Sequence, residues 1–411
     1  MATTQAPPNP TQRAVSRPLA VVLGLLTAFG PISMDLYLPV LPALTADLHA
    51  GTSTAQLTVS ACLLGLAFGQ IVAGPLSDRF GRRRPLLVGV VAYVAASALC
   101  AASPSIETLI GARLVQGLAG SVGIVIAQAA GRDLYSGGKL VRYYGRLAVL
   151  GGLAAIIGPV IGGQLAAFTD WRGTFVFLSV VGVGILAASG LIFDETLPAE
   201  LRSPGSLSHT LRSFARLLTD RMFVASLLVT GFAGAVIFAY LAGATFVLQG
   251  IYGLSPQEYA FAFGLNSLGY MVFGFISGRL SERWSERGTL VVGLVMGVVG
   301  AGFLLVTAVL HLALIAVIVS LFTMVSGMAM TAPPSTSLAL SHYRDIAGTA
   351  SSLLGLTRFA FGGIAAPLVG LGGEHDATAL GVVTLAAAVL ATACWFVAGW
   401  RARRPEVPAT R

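Results

Sequence analysis

The chain has 411 residues, 55% of them apolar and only 10% charged, with a mean hydropathy of +0.83. A soluble domain carries about a quarter charged residues, so this composition excludes that class and points to a polytopic membrane protein. The net charge of +8 would suit a nucleic acid only if the basic residues gathered on a soluble face, and here they fall between apolar stretches.

Residues 1–18 are a polar, Pro-rich tail carrying Arg13 and Arg17. Twelve apolar spans follow, each long enough to cross a hydrocarbon layer of roughly 30 Å as a helix. The first six are 19–41, 54–75, 85–102, 105–130, 145–168 and 173–193. A polar linker at 194–222 separates them from 223–249, 257–279, 289–310, 312–334, 346–371 and 377–400, and a tail at 401–411 ends the chain. The expected fold is therefore all-α, with six-helix bundles at 19–193 and 223–400. The first span exceeds the apolar region of a cleavable signal and is expected to stay as a membrane helix.

Span 1 carries Asp35, the only carboxylate more than three residues inside a span. Pro39 cannot donate to the carbonyl of Asp35, and Pro42 leaves that of Leu38 free, so the helix should bend beside the acid. Span 4 carries Arg113 and span 11 carries Arg358. A charge in a membrane helix costs at least about 2.5 to 3.5 kcal/mol and normally marks a substrate or ion pathway. Counted along their helices at about 1.5 Å per residue, Asp35 and Arg113 reach a similar depth, which allows them to face each other across a cavity. The plainer readings are an interfacial acid for Asp35 and carbonyl pairing for each arginine. Tyr37, Phe238, Tyr240, Met324 and Met328 are cavity candidates, with core or lipid packing the alternative.

After span 2, Asp78, Arg79 and Arg83 form a charged loop that suits a latch near the start of span 11; its other reading is an orientation signal. Spans 2, 5, 8 and 11 carry small residues four apart: Gly65 and Gly69, Gly158 and Gly162, Gly274 and Gly278, Ser351 and Gly355. Such faces permit close approach and suit a seam where two halves rock.

The halves repeat. Residues 74–83 match residues 278–287 at five of ten positions, through Gly74, Leu76, Ser77, Arg79 and Arg83. Six spans per half give both halves one orientation, the parallel-repeat arrangement of many secondary transporters. Placing both termini on one side puts 22 of the 25 basic residues there, which assigns that side to the cytoplasm. The three cysteines are far apart and all five histidines fall in connections, so no metal site and no cofactor are expected. The only lysine, Lys139, precedes Leu140, whereas a nucleotide-binding loop needs Gly-Lys before Ser or Thr. Energy must come from an ion gradient or the substrate.

These features resemble the major facilitator superfamily. Residues 74–84 match its loop 2–3 signature, Arg113 with Gln116, Gly117 and Gly120 its span 4 signature, and Gly158, Pro159, Gly162 and Gly163 the span 5 signature of drug:proton antiporters, with Ala154 departing from it. Residues 34–39, 132–135, 238–241, 246–249 and 347–353 resemble the bicyclomycin/chloramphenicol-resistance (Bcr/CflA) subfamily. The resemblance implies proton-driven export of small drugs from a cavity lined mainly by spans 1, 4, 7 and 10. On that reading Asp35 and Arg113 couple the proton. Tyr37, Gln116, Phe238, Tyr240, Met324, Met328 and Arg358 meet substrate, while Gly74, Asp78, Arg79, Arg83, Gly158, Pro159 and Gly162 gate it. The expected partners are a small-molecule substrate, protons and the lipid of a bacterial inner membrane, with the chain acting as a monomer. An uptake carrier for a small metabolite is the alternative; a membrane enzyme would want a catalytic cluster near a membrane face.

Overall fold

The computed structural model describes residues 17–135, 137–202, 212, 214–341, 343, 347–373 and 376–399. Most of the N-terminal tail, residues 203–211 of the linker, the tail at 401–411 and three of the loop histidines (His209, His342, His375) lie outside the described residues.

In the first half the helices are α1 (Arg17–Asp35), α2 (Leu41–Asp47), α3 (Thr52–Phe80), α4 (Arg83–Ala101), α5 (Ile106–Leu134), α6 (Gly137–Leu165) and α7 (Trp171–Ile192). The second half has α8 (Arg221–Thr245), α9 (Pro256–Arg283), α10 (Glu286–Val309), α11 (Leu314–Leu340), α12 (Ala347–Val369) and α13 (Thr378–Cys394). Span 1 is α1 and α2 joined by a single 3₁₀ turn, Leu38–Val40, and spans 2 to 12 are α3 to α13 in order. Among the described residues there is no strand. Helices keep every backbone hydrogen bond inside the segment, as a lipid solvent demands. Side chains cap several of them where the chain turns back: Ser105 on α5, Asp170 on α7, Asp220 on α8 and Ser285 on α10, while Ser255 and Glu258 form a reciprocal capping box on α9. Large apolar side chains such as Val88, Val180, Phe261 and Ile315 are exposed, as expected where the surrounding solvent is lipid.

The expected bend in span 1 is present, and it is distributed. Helical hydrogen bonding stops at Asp35, and the segments Pro18–Gly30 and Ile32–Asp47 are inclined by 40°. Pro31, which the bend argument from Pro39 and Pro42 left out, sits between those segments.

Within the first half, α1 packs on α5, α6 and α7, α3 packs on α5, and α4 packs on α5 and α7. Displaced by six spans, each pairing recurs: α8 on α11, α12 and α13, α9 on α11, and α10 on α11 and α13. The molecule is thus two parallel six-helix repeats. They meet along two seams related by the same repeat, α3 against α12 and α6 against α9.

Those are the four expected seam helices, but most of the expected glycines serve elsewhere. A Cβ on Gly65 would lie 2.8 Å from the Leu118 nitrogen, and one on Gly69 would strike Ser121, so both serve α3–α5 packing inside one half. Gly158 and Gly162 face the end of α1. A Cβ on Gly158 would sit 3.2 Å from the Asp35 Cβ, and one on Gly162 would collide with the Leu36 carbonyl. Gly278 has open space around it. Glycines that cross the seams include Gly163, 2.9 Å by its virtual Cβ from the Pro256 oxygen, Gly355, 2.9 Å from Gln70 Oε1, and Gly363, 3.1 Å from Leu64 Cγ.

Among the described residues, three hydrogen bonds tie the halves together at the end remote from the arginine-rich loops. Ser53 Oγ donates to the Pro367 carbonyl at 3.2 Å, Gln56 Nε2 to that of Ala242 at 3.4 Å, and Gln249 Nε2 to that of Pro39 at 3.0 Å. Gln249 lies on a π-helical turn, Phe246–Ile251, that continues α8.

Candidate functional site

The break in span 1 sets the first part of the site. Asp35 ends α1 with 5% of its surface exposed. Among the described residues neither a hydrogen bond nor an ion pair reaches its carboxylate. Its Cβ lies against Gly158 of α6, 3.2 Å from where a Cβ on that glycine would stand.

Arg113 does not face it. This wholly buried side chain donates from Nη1 to the Ser33 carbonyl at 3.0 Å and to Gln116 Oε1 at 2.6 Å, and from Nε to the Thr58 carbonyl at 3.4 Å. Its guanidinium also lies over the rings of Tyr37 and Phe175, 4.3 and 5.7 Å from their centres. The expectation of two charges facing each other across a cavity is therefore corrected. Equal depth along two helices leaves their rotation open, and Arg113 is rotated toward the Ser33 carbonyl near the end of α1 and the Thr58 carbonyl of α3.

Several expected substrate contacts belong to the same packed zone. Gln116 donates onward to Ser97 Oγ at 2.8 Å, and Tyr37 Oη shares a hydrogen bond with Thr58 Oγ1 at 3.1 Å. Tyr240 stacks on Phe263 and accepts from Asn266 Nδ2 at 3.0 Å. Phe238 packs on Phe359. Met324 is fully buried against Gly300 of α10, which removes it from any cavity wall in this conformation.

A cavity of about 200 Å³ opens in the arginine-rich half of the bundle between α8, α9, α11 and α12. Of the expected contacts, Met328 and Arg358 line it, joined by Thr230, Tyr270, Ser335 and Ser351. Arg358 Nη2 donates to Tyr270 Oη at 3.3 Å. Tyr270 was not picked out from the sequence, where a lone tyrosine in α9 has no distinguishing pattern.

At the arginine-rich end the loop between α3 and α4 is closed by a clasp. Arg82, with its side chain mostly buried, donates from Nε to Asp133 Oδ2 at 2.9 Å, pairs with Asp78, and reaches Ser77 Oγ at 2.8 Å. Thr196 Oγ1 donates to the same Asp133 oxygen at 2.9 Å. The Glu195 carboxylate accepts from the backbone nitrogens of Arg82, Arg83 and Leu197 at 2.8, 3.3 and 3.0 Å. Gly81 turns the chain there at φ +84°, and a Cβ on it would collide with Glu195. Burial opposes ionisation of Glu195, but the three backbone N–H donors and the Arg202 guanidinium outweigh it and hold the carboxyl below its ordinary value. Burial likewise opposes the charge of Arg82, and Asp133 and Asp78 reverse the balance. The expected latch is corrected in its partners. Asp78 pairs with Arg82, while Arg83 donates to the Gly190 carbonyl at 2.7 Å and Arg79 lies over Phe80. Gly74 has open space around it, and Pro159 is buried within α6. Glu195 was missed; the signal was the run Asp194-Glu195-Thr196-Leu197-Pro198 just past span 6.

The family model described as Major Facilitator Superfamily matches residues 23–367. The chain belongs to the major facilitator superfamily. It is 36% identical to an uncharacterized MFS-type transporter, YdgK, of Bacillus subtilis, over 92% of this chain and 94% of that one. It is 28% identical to a bicyclomycin resistance protein homolog of Haemophilus influenzae, over 85% and 88%, and 29% identical to multidrug resistance protein D of Escherichia coli, over 92% and 94%. These matches bear out the Bcr/CflA resemblance. The fold is shared with a bacterial homolog of the human lysosomal transporter Spinster, crystallised inward-facing, at a TM-score of 0.74 and 15% identity over 93% of this chain and 96% of that one. The protein is a multi-pass membrane transporter of this superfamily.

Proposed function

We propose that this transporter exports small drug-like or antibiotic molecules in exchange for protons, by alternating access across a bacterial inner membrane with both termini in the cytoplasm. The observation that carries the reading is Asp35, a buried carboxyl with no hydrogen-bond or ion-pair partner among the described residues, set at the helix break against Gly158 of α6. A carboxylate locked in an ion pair would have little reason to exchange a proton, whereas an unpaired one answers to whatever enters beside it. In the outward-facing state Asp35 takes up a proton as cargo leaves; in the inward-facing state it gives the proton up as new cargo enters. The names of the relatives in Haemophilus influenzae and Escherichia coli support drugs as cargo, and the arginine bias supports the orientation. The cavity near Arg358 receives the molecule from the cytoplasm, and the Arg82 clasp steadies the inner ends of α3, α4 and α5 as the halves rock. The chain acts as a monomer and without a cofactor.

Everted vesicles from an efflux-deficient bacterium expressing the protein test this. Acidifying the lumen should drive accumulation of chloramphenicol-like or bicyclomycin-like compounds, and a protonophore should abolish it. Accumulation by right-side-out vesicles instead would establish the uptake carrier.

A further inference from the structure

The two intramembrane arginines differ in how their charge is used. Arg113 is wholly buried and its donors are taken up by two carbonyls and Gln116, with aromatic faces on Tyr37 and Phe175. Arg358 is half-buried at a cavity wall, and the structure draws one hydrogen bond from its guanidinium, to Tyr270 Oη at 3.3 Å. A guanidinium carries five N–H donors in a planar fork suited to a carboxylate. Among the described residues lining the cavity, Arg358 bears the only formal charge. Its stem is held against α8 because Gly234 leaves room: a Cβ there would come 2.9 Å from Arg358 Cγ. Met328 and Leu354 give the same wall an apolar part, and the hydroxyls of Thr230 and Ser335 a polar one.

We infer that this cavity takes a small, partly apolar organic anion, whose carboxylate or equivalent acidic group is received by Arg358 while its apolar body lies against Met328 and Leu354. The inference rests on the export reading and ranks its cargo, acidic molecules binding this cavity more tightly than uncharged ones. An uncharged ligand would leave the cation desolvated and unmatched as the halves close over it, and a cationic one would add a second like charge. An anion cancels the charge and fills the fork.

The test uses purified protein in detergent and three isosteric probes, 2-naphthoate, 2-naphthamide and 2-naphthamidine, measured by titration calorimetry. The carboxylate should bind about tenfold or more tighter than the amide, and the amidinium weakest. Arg358→Gln should erase the carboxylate's advantage while leaving amide binding in place, and Arg358→Lys should keep part of it. A carboxylate that fails to bind, that binds no better than the amide, or whose preference survives Arg358→Gln, overturns the inference. Binding is read without a gradient, so that failure leaves proton-driven export standing. A naphthoate that binds but is not accumulated by acid-loaded everted vesicles would count against export alone.

Discussion

The guanidinium carbon of Arg113 sits 4.3 Å from the centre of the Tyr37 ring, while Nη1 of the same side chain holds the Ser33 carbonyl at 3.0 Å. Ser33 and Tyr37 lie two residues to either side of Asp35, so one side chain of α5 braces the break in span 1 around the acid without engaging its carboxylate. The last carbonyls of a helix need partners, and a membrane offers no water to supply them.

Arg113→Ala should therefore act first on stability. Truncating a fully buried side chain and orphaning the Ser33 carbonyl costs about 2 to 5 kcal/mol, and Arg113→Lys should recover little because the planar fork is lost. Thermal unfolding in detergent reads this directly. An Arg113→Ala protein that unfolds like wild type yet releases no proton would return Arg113 to the coupling pair.

Asp35→Asn should do the opposite. A buried carboxyl with no partner stabilises nothing, so its neutral isostere should unfold at the wild-type temperature or above it. Substrate-induced proton release should vanish while substrate binding persists. Equal release from wild type and Asp35→Asn would move the coupling proton elsewhere.

Two glycines on the facing seam helices α6 and α9 should behave differently. Gly163→Val should block the approach of α6 to Pro256 on α9 and abolish transport in a protein that still inserts, whereas Gly278→Val, with open space around it, should transport normally. Vesicle transport assays with both variants decide it, and identical behaviour would disconnect Gly163 from the moving contact.

The Glu195 clasp has a pH dependence of definite sign. Its carboxyl is held below the ordinary glutamate value of 4.5, so it contributes stability that is fully present above 4.5 and lost as pH falls through the lower native value. Protection from hydrogen exchange at the amides of Arg82, Arg83 and Leu197, taken relative to the intrinsic rate at each pH, should be equal at neutral and mildly acidic pH and should fall only below about 4.5. Glu195→Gln should remove that step. Protection that decays between neutrality and mild acidity would assign the clasp to another group.

The sequence carried height but not rotation. Apolar lengths, the repeated loop at residues 74–83 and 278–287 and the arginine bias suffice for twelve spans in two parallel halves, because each depends only on distance along the chain. Depth arithmetic likewise put Asp35 and Arg113 at one level, yet their relation turns on which way each helix face points. The glycines show the same limit. A glycine four residues from another signals that something comes close, and Gly158 and Gly162 do meet a neighbour, but it is the end of α1 rather than the other half. Arg358 was legible as a charge that needs a reason. Only its surroundings, one tyrosine and a cavity, set it apart from Arg113.

The hydrogen bonds that join the halves at the arginine-poor end run from a hydroxyl and two carboxamides to main-chain carbonyls. None of these six groups titrates in the physiological range, and none bears a net charge that ions can shield. Opening and closing at that face should then be indifferent to the acidity and salinity of the medium it meets. A cell envelope exposed to acid or brine would leave those three bonds as they were, whereas the Arg172–Asp47 ion pair at the same end, which lies within one half, would weaken.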